Sequence, residues 1–318
     1  MGIMLLTLLI TVFAEKLLIP ALRAKAKQPI YAEGPSWHMK KLGTPTMGGL
    51  GFLAGISLSL LSVVLYLFIS AERTKAISVV LILVFAVLNS AIGVIDDMSK
   101  IAKHENQGLT PKQKIALQSL TVAAFLAARY AFVDKSTSVE FSFGTIDLGL
   151  FYYVLSAVAL LATVNCANLT DGIDGLASSV AFAAGISLTY ISSAVGSEVG
   201  YVGAAISGGA LGFLFFNIHP AKIFMGDTGS LFFGAAIGAS AVMLGNPLLL
   251  LLIASVYLIE GASVIIQVIF YKLTGKRVFK MAPLHHHLEK CGYNENKIVI
   301  CAVLVTLLFS LFAYAVYY

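Results

Sequence analysis

The sequence predicts an all-α polytopic membrane protein of about ten transmembrane helices, and composition and run length carry that expectation. Apolar residues make up 58% of the chain and charged residues 12%, against roughly 45–50% and about 25% in soluble proteins. The apolar residues also fall in runs of membrane-crossing length, since a hydrocarbon core about 30 Å thick needs roughly 20 predominantly apolar residues per helix. The lopsided placement of Lys and Arg then orients the spans.

Ten runs qualify as candidates: Ile3–Leu22, Gly48–Ser70, Ala76–Ile95, Ile115–Val133, Leu148–Ala167, Ile173–Val195, Val199–Ile218, Leu231–Leu244, Leu248–Tyr271 and Ile298–Tyr318. The eighth is short unless Thr228, Gly229 and Ser230 open its helix, and its small residues Gly234, Ala235, Ala236, Gly238 and Ala239 suit close helix packing. The ninth is interrupted by Glu260 and Gln267. An intramembrane carboxylate should face the protein interior or a wet groove, and a plain interhelical hydrogen bond accounts for Glu260 equally well.

Short cytoplasmic loops concentrate Lys and Arg. Sixteen basic residues (Arg23, Lys25, Lys27, Lys40, Lys41, Lys100, Lys103, Lys112, Lys114, Lys222, Lys272, Lys276, Arg277, Lys280, Lys290, Lys297) fall on one face, and Arg73, Lys75, Arg129 and Lys135 on the other. The basic face is therefore expected to be cytoplasmic, with both termini external. The pI near 9.0 then reflects topology rather than nucleic-acid binding, for which no aromatic-plus-basic motif is present.

The first run lacks a basic region before Ile3 and a small-residue cleavage site, so it is expected to be a retained helix. Cys166, Cys291 and Cys301 are odd in number and lack metal-ligand spacing. The polar stretches are loop-sized, which makes residues 1–318 a single integral membrane domain. Among the external connectors only Asp134–Asp147 has a pattern: Val139, Phe141, Phe143 and Ile146 stand among polar residues and Gly144, as in a small hairpin.

Chemistry concentrates in five segments on the basic face. The first, Trp37–Gly49, joins Lys40 and Lys41 to Gly43-Thr44-Pro45-Thr46-Met47-Gly48-Gly49. Lysines before a helix N-terminus suit a phosphate, although positive-inside bias also explains them. The second places Asp96 and Asp97 directly after an apolar run, where a helix meets water, followed by Lys100, Lys112 and Lys114. Two adjacent carboxylates repel unless a divalent cation or a proton shares their charge; a solvated helix end is the plainer alternative. Thr110 and Pro111 look like an N-cap and first helical position, putting both following lysines in a first turn where cations oppose the helix dipole.

The third segment, Asn168-Leu169-Thr170-Asp171-Gly172-Ile173-Asp174-Gly175, sets Asp171 and Asp174 on one face if it is helical. In the fourth, Asn217–Ser230, Asp227 and nearby hydroxyls precede a helix without a Walker pattern, so Asp227 is either a cap or a hard oxygen ligand for Mg²⁺. The fifth, Pro283-Leu284-His285-His286-His287-Leu288-Glu289, holds consecutive histidines. On a helix these point about 100° apart, which makes a poor tetrahedral metal site and favours hydrogen bonding to a phosphate or amide-rich substrate.

In this order, across essentially the whole chain, the motifs resemble the polyprenyl-phosphate N-acetylhexosamine-1-phosphate transferase superfamily. The triple histidine aligns the chain, within that superfamily, with the phospho-N-acetylmuramoyl-pentapeptide-transferases. The resemblance implies transfer of phospho-N-acetylmuramoyl-pentapeptide from its UDP conjugate to undecaprenyl phosphate, giving lipid I and UMP with Mg²⁺ at the cytoplasmic face of a bacterial inner membrane. It also implies contact with membrane lipids, a homodimer, and a broken ninth helix beside a lipid groove.

On that resemblance, Asp227 is the leading metal ligand with Asp97 near it, Asp96 orients or deprotonates the lipid phosphate, and His285 and His286 complete the catalytic set. Asn168, Asp171, Asp174, Asn217 and Phe224 line the nucleotide side, Phe224 stacking on uracil. Lys41, Thr46, Lys100, Lys112, Lys114, Gln267 and His287 are the remaining substrate contacts, with the choices between Lys112 and Lys114 and between Thr44 and Thr46 open. A different UDP-N-acetylhexosamine-1-phosphate transferase stays open as a reading. A secondary transporter of an anionic metabolite fits less well, because transporters place key groups near the bilayer midplane.

Overall fold

The computed structural model describes residues 1–25, 43–103 and 108–317. Its helices are α1 (Gly2–Lys25), α2 (Gly49–Ile69), α3 (Arg73–Lys103), α4 (Pro111–Phe132), α5 (Leu150–Thr170), α6 (Leu176–Ala194), α7 (Val199–Asn217), α8 (Gly226–Met243), α9 (Leu250–Ile253), α10 (Ser255–Thr274), α11 (Leu284–Lys290) and α12 (Glu295–Tyr317). Strands β1 (Ser138–Phe141) and β2 (Gly144–Asp147) form the expected hairpin, antiparallel with Val139 opposite Ile146.

Among the described residues, nine helices are long and apolar enough to cross a membrane; α8 is not among them. It begins at Gly226, so Gly-Asp-Thr-Gly-Ser forms its first turns and makes good the length missing from the eighth run. Those polar residues are sheltered because α8 packs against α2, α3, α5, α6 and α7 and is buried from Thr228 to Val242. A helix surrounded by other helices needs apolarity all round rather than a lipid-facing stripe, and its small residues let five neighbours approach. The core beside it is aromatic, with Phe52 of α2 stacked on Phe233 at 4.2 Å and edge-on to Phe213 at 5.2 Å.

Three sequence-based boundaries shift. The third apolar run does not end at Ile95: α3 continues to Lys103, so Asp96 and Asp97 lie inside a helix, 1% and 4% exposed. The ninth run breaks at Ala254, whose φ of −107° and ψ of 20° separate α9 from α10, while α10 runs unbroken through Glu260 and Gln267. Asp171 to Gly175 is a turn and not helix.

The hairpin marks the end of the molecule opposite the five chemical segments. Ser142 donates its N–H to the Val316 carbonyl at 2.9 Å, and Phe141 stacks on Tyr317 at 5.2 Å. The C-terminal helix therefore finishes far from the site.

Candidate functional site

The Asp pair illustrates how a helix divides two neighbours. Successive side chains on a helix diverge by about 100°, so Asp96 and Asp97 face different partners. Asp97 points at the start of α8, which has no capping side chain of its own. Its Oδ1 accepts the Asp227 N–H at 3.1 Å, and its Oδ2 accepts the Thr228 N–H at 2.9 Å and the Thr228 hydroxyl at 2.7 Å. It thus satisfies the free N–H groups of a helix terminus and neutralises the positive end of its dipole. Asp227 is not the cap; it sits in the first turn.

Asp96 faces the α3–α4 connection, accepting the Leu109 N–H at 2.7 Å and pairing with Lys100 at 2.6 Å. Lys114 lies 3.4 Å from the same carboxylate and makes a close ion pair with Asp227, and Lys100 reaches Asp227 at 3.2 Å. Thr110 caps α4 in a reciprocal box with Gln113, with Pro111 in the first turn, which rotates Lys114 into the site. Lys112 is exposed, and no hydrogen bond or ion pair joins it to the carboxylates among the described residues, so of the two lysines Lys114 is the one at the carboxylate cluster.

Asn168, in the last turn of α5, donates to Asp227 Oδ1 at 2.8 Å and to the Ser230 hydroxyl at 2.9 Å. Thr46 is 5% exposed and stands beside Gly226. That glycine has φ 68°, and a Cβ there would lie 2.5 Å from Asp97 Oδ2 and 2.9 Å from Thr46 Oγ1, so only glycine fits. Backbone bonds tie the first segment to the fourth: Phe224 donates to Pro45 O at 2.8 Å, and Gly48 donates to Phe224 O at 2.9 Å. Phe224 itself is half-buried. Lys41 lies outside the described residues, as do Trp37 to Lys40 and Leu42.

The third segment divides as well. Because it is a turn, Asp171 and Asp174 do not share a helical face. Asp171 ends α5, and burial pushes its carboxyl up to about 8, with Asp227, Asp97 and Asp174 adding like charge. Asp174 accepts from His219 Nδ1 and the Ala221 N–H, both at 3.0 Å, and donates its own N–H to Glu295 at 2.8 Å.

Asn217 braces the turn before α6 and the segment before α8. It accepts from the Gly175 N–H at 3.1 Å and the Ser178 hydroxyl at 3.0 Å, and donates to Ile223 O at 3.0 Å. Gln267 likewise spends its carbonyl on the Val278 and Phe279 N–H groups, at 3.1 and 2.9 Å. The three histidines diverge as the helix argument expects. His285 is fully buried, His286 pairs with Glu289 at 2.7 Å, and His287 accepts the Lys280 N–H at 3.1 Å.

Sequence reasoning gave no role to His219, Glu289 or Glu295 and left Glu260 open. Each contacts its partner through the tertiary fold or one helical turn, and no motif spacing announces it.

Carboxylate oxygens of Asp96, Asp97 and Asp227 lie within 4.8 Å of one another. Three hard oxygen donors facing a rim of ammonium groups suit Mg²⁺, which takes one or two protein carboxylates and completes its shell with water and substrate phosphates. Asp227, with 14% of its side chain exposed against 1% for Asp96, is the most accessible of the three compared with buried Asp97 and Asp96.

Comparison with known proteins places this geometry in a family. Residues 79–245 match Glycosyl transferase family 4. The chain is similar to the phospho-N-acetylmuramoyl-pentapeptide-transferase of Halalkalibacterium halodurans, 42% identical over 98% of this chain and 95% of the relative. It is also similar to those of Desulforamulus reducens, 44% identical over 96% and 92%, and Clostridium botulinum, 41% identical over 93% and 90%. With that identity along nearly its whole length, the chain belongs to the phospho-N-acetylmuramoyl-pentapeptide-transferases and is a multi-pass bacterial membrane protein.

Proposed function

We propose that this chain transfers phospho-N-acetylmuramoyl-pentapeptide from its UDP conjugate to undecaprenyl phosphate, releasing UMP and leaving lipid I in the membrane. The observation that carries the reading is the convergence of Asp96, Asp97, Asp227, Lys100, Lys114 and Asn168 at the ends of α3, α4, α5 and α8. A site at helix ends admits a water-soluble nucleotide and a lipid phosphate together.

Phosphoryl transfer is chiefly positioning and charge neutralisation. An oxygen of the lipid phosphate attacks the sugar-linked phosphorus, the bond to the bridging oxygen breaks, and UMP leaves with the electron pair. Lys100 and Lys114 hold anionic oxygens, and Asp96, beside both lysines, orients the acceptor phosphate. Asp227, steadied by Asn168, and Asp97 would hold Mg²⁺, which when bound polarises the pyrophosphate and stabilises the leaving group. Asp171 and the half-buried Phe224 are assigned to the nucleotide side and His286 to the sugar-phosphate portion. Asp174, Asn217, Gln267 and His287 support those groups from behind.

The excess of basic residues on the site face supports a cytoplasmic orientation in the inner membrane. A homodimer is proposed from family resemblance alone.

Purified protein given UDP-muramoyl-pentapeptide, undecaprenyl phosphate and Mg²⁺ should release UMP in step with lipid I. Absence of UMP from folded protein, or UMP only with a different UDP-sugar, would overturn the assignment.

A further inference from the structure

The histidine-bearing segment has no cap of its own. Helix α11 spans only Leu284–Lys290, and Pro283 before it makes no side-chain cap. The missing acceptor comes from a membrane helix: Glu260 of α10, 4% exposed, takes the His285 N–H on both oxygens at 3.2 Å. Its Oε2 also lies 3.2 Å from His285 Nδ1. Seven residues along the same face of α10, Gln267 holds the Val278 and Phe279 N–H groups. Two side chains of one helix thus hold the connection leading to the histidines and the first turn of the helix that carries them.

The platform is itself anchored. Tyr257 donates its hydroxyl to Ala177 O of α6 at 2.7 Å, and Gly261 packs against Cys166 of α5. Glu260 lies between these two contacts. Both ring nitrogens are buried without a hydrogen-bond partner; Nδ1 only approaches Glu260, and on the other side of the ring Nε2 lies against Gly172, where an added Cβ would collide with it. Gly172 is the neighbour of Asp171 in the turn between α5 and α6.

We infer that Glu260 is a positioning residue for the transferase reaction: it fixes the His285 ring against Gly172, and so sets the turn carrying Asp171 beside the carboxylate cluster. The inference rests on the proposed function. It accounts for a carboxylate in a membrane helix, which is costly unless bonded, without placing it in contact with substrate.

The test uses the full chain in detergent. Misplacement of about 1 Å in a supporting group costs on the order of 10²-fold in rate, so E260A should lower kcat about 100-fold. The KM for undecaprenyl phosphate should stay near that of the parent, while the thermal midpoint falls modestly because the buried His285 N–H loses its acceptor. E260Q keeps an acceptor oxygen for the His285 N–H and should recover most of that loss. Hydrogen exchange over residues 284–290 should quicken in E260A, a readout that needs no turnover.

G172A attacks the same contact from the other side, so E260A and G172A should be strongly non-additive: the double variant should be little slower than either single one. Losses that multiply, or unchanged exchange in E260A, would overturn the inference. Should E260A fail to fold, E260M, which fills the same space but has no acceptor oxygen, takes its place in the cycle and in the exchange measurement with the same expected outcome. If the parent itself released no UMP, the transferase reading would fall; a parent that turned over with an equally fast E260A would sink only the positioning role.

Discussion

Asp97 on α3 takes both the backbone N–H and the hydroxyl of Thr228 on α8, at 2.9 and 2.7 Å. The carboxylate assigned to the metal is therefore also the cap of the most buried helix in the bundle. Replacing a capping carboxylate with Ala typically costs about 1 kcal/mol, and here it also leaves buried N–H groups unpaired. Asp97→Ala should lower the thermal midpoint and abolish UMP release, whereas Asp97→Asn, which keeps an acceptor oxygen, should lose activity with a smaller change in midpoint. Thermal unfolding alongside the UMP assay separates the two effects.

Asp227 makes no cap, so its loss should be felt mainly in chemistry. Asp227→Asn should reduce kcat on the order of 10²-fold or more, as removal of a charge-stabilising group does, and raise the Mg²⁺ concentration needed for half-maximal rate. A near-normal rate at ordinary Mg²⁺ in this variant would rule out the metal assignment.

Lys112 and Lys114 share a helical turn but not a surface. Lys114 pairs with Asp227 and lies 3.4 Å from Asp96, and Lys112 is exposed. Lys114→Met should cost roughly 2 kcal/mol in transition-state stabilisation, the range for a hydrogen bond to a charged group. Lys112→Met should stay within about 0.5 kcal/mol, the range for an exposed substitution. Steady-state kcat/KM for both variants gives the comparison.

Asp171 gives a pH dependence of stability. Its folded-state pKa is raised to about 8 by burial, then by neighbouring carboxylates, above an unfolded value near 4. The folded chain therefore holds a proton that the unfolded chain has lost, and stability falls as pH rises from about 4 through 8. Asp171→Asn removes that slope. In magnesium-free buffer its thermal midpoint should match the parent near pH 4 and exceed it by a growing margin toward pH 8; parallel curves would contradict the assignment.

Cys291 tests sidedness without a new substitution. It is exposed at the end of α11, on the face of the site. A membrane-impermeant maleimide should label it only after intact cells are permeabilised, and labelling of intact cells would place the site outside.

The sequence by itself determined the membrane class, the hairpin, the Thr110 cap and the residues that gather at the site. Each is written in local pattern: apolar run length, alternation, Thr-Pro at a helix start, or carboxylates and histidines among lysines. The length of α3 was not legible, because Asp96 and Asp97 look like a boundary until α8 offers N–H groups to Asp97 and Leu109 offers one to Asp96. Nor could the sequence say which polar side chains meet at the carboxylate cluster. Asn217, Gln267 and Asp174 have the same polarity as Asn168, Lys114 and Asp227, but their hydrogen bonds go to backbone and side chains behind the site. Only the tertiary structure decided where each of these hydrogen bonds goes, since the donors and acceptors that surround a polar side chain come from helices distant in the chain.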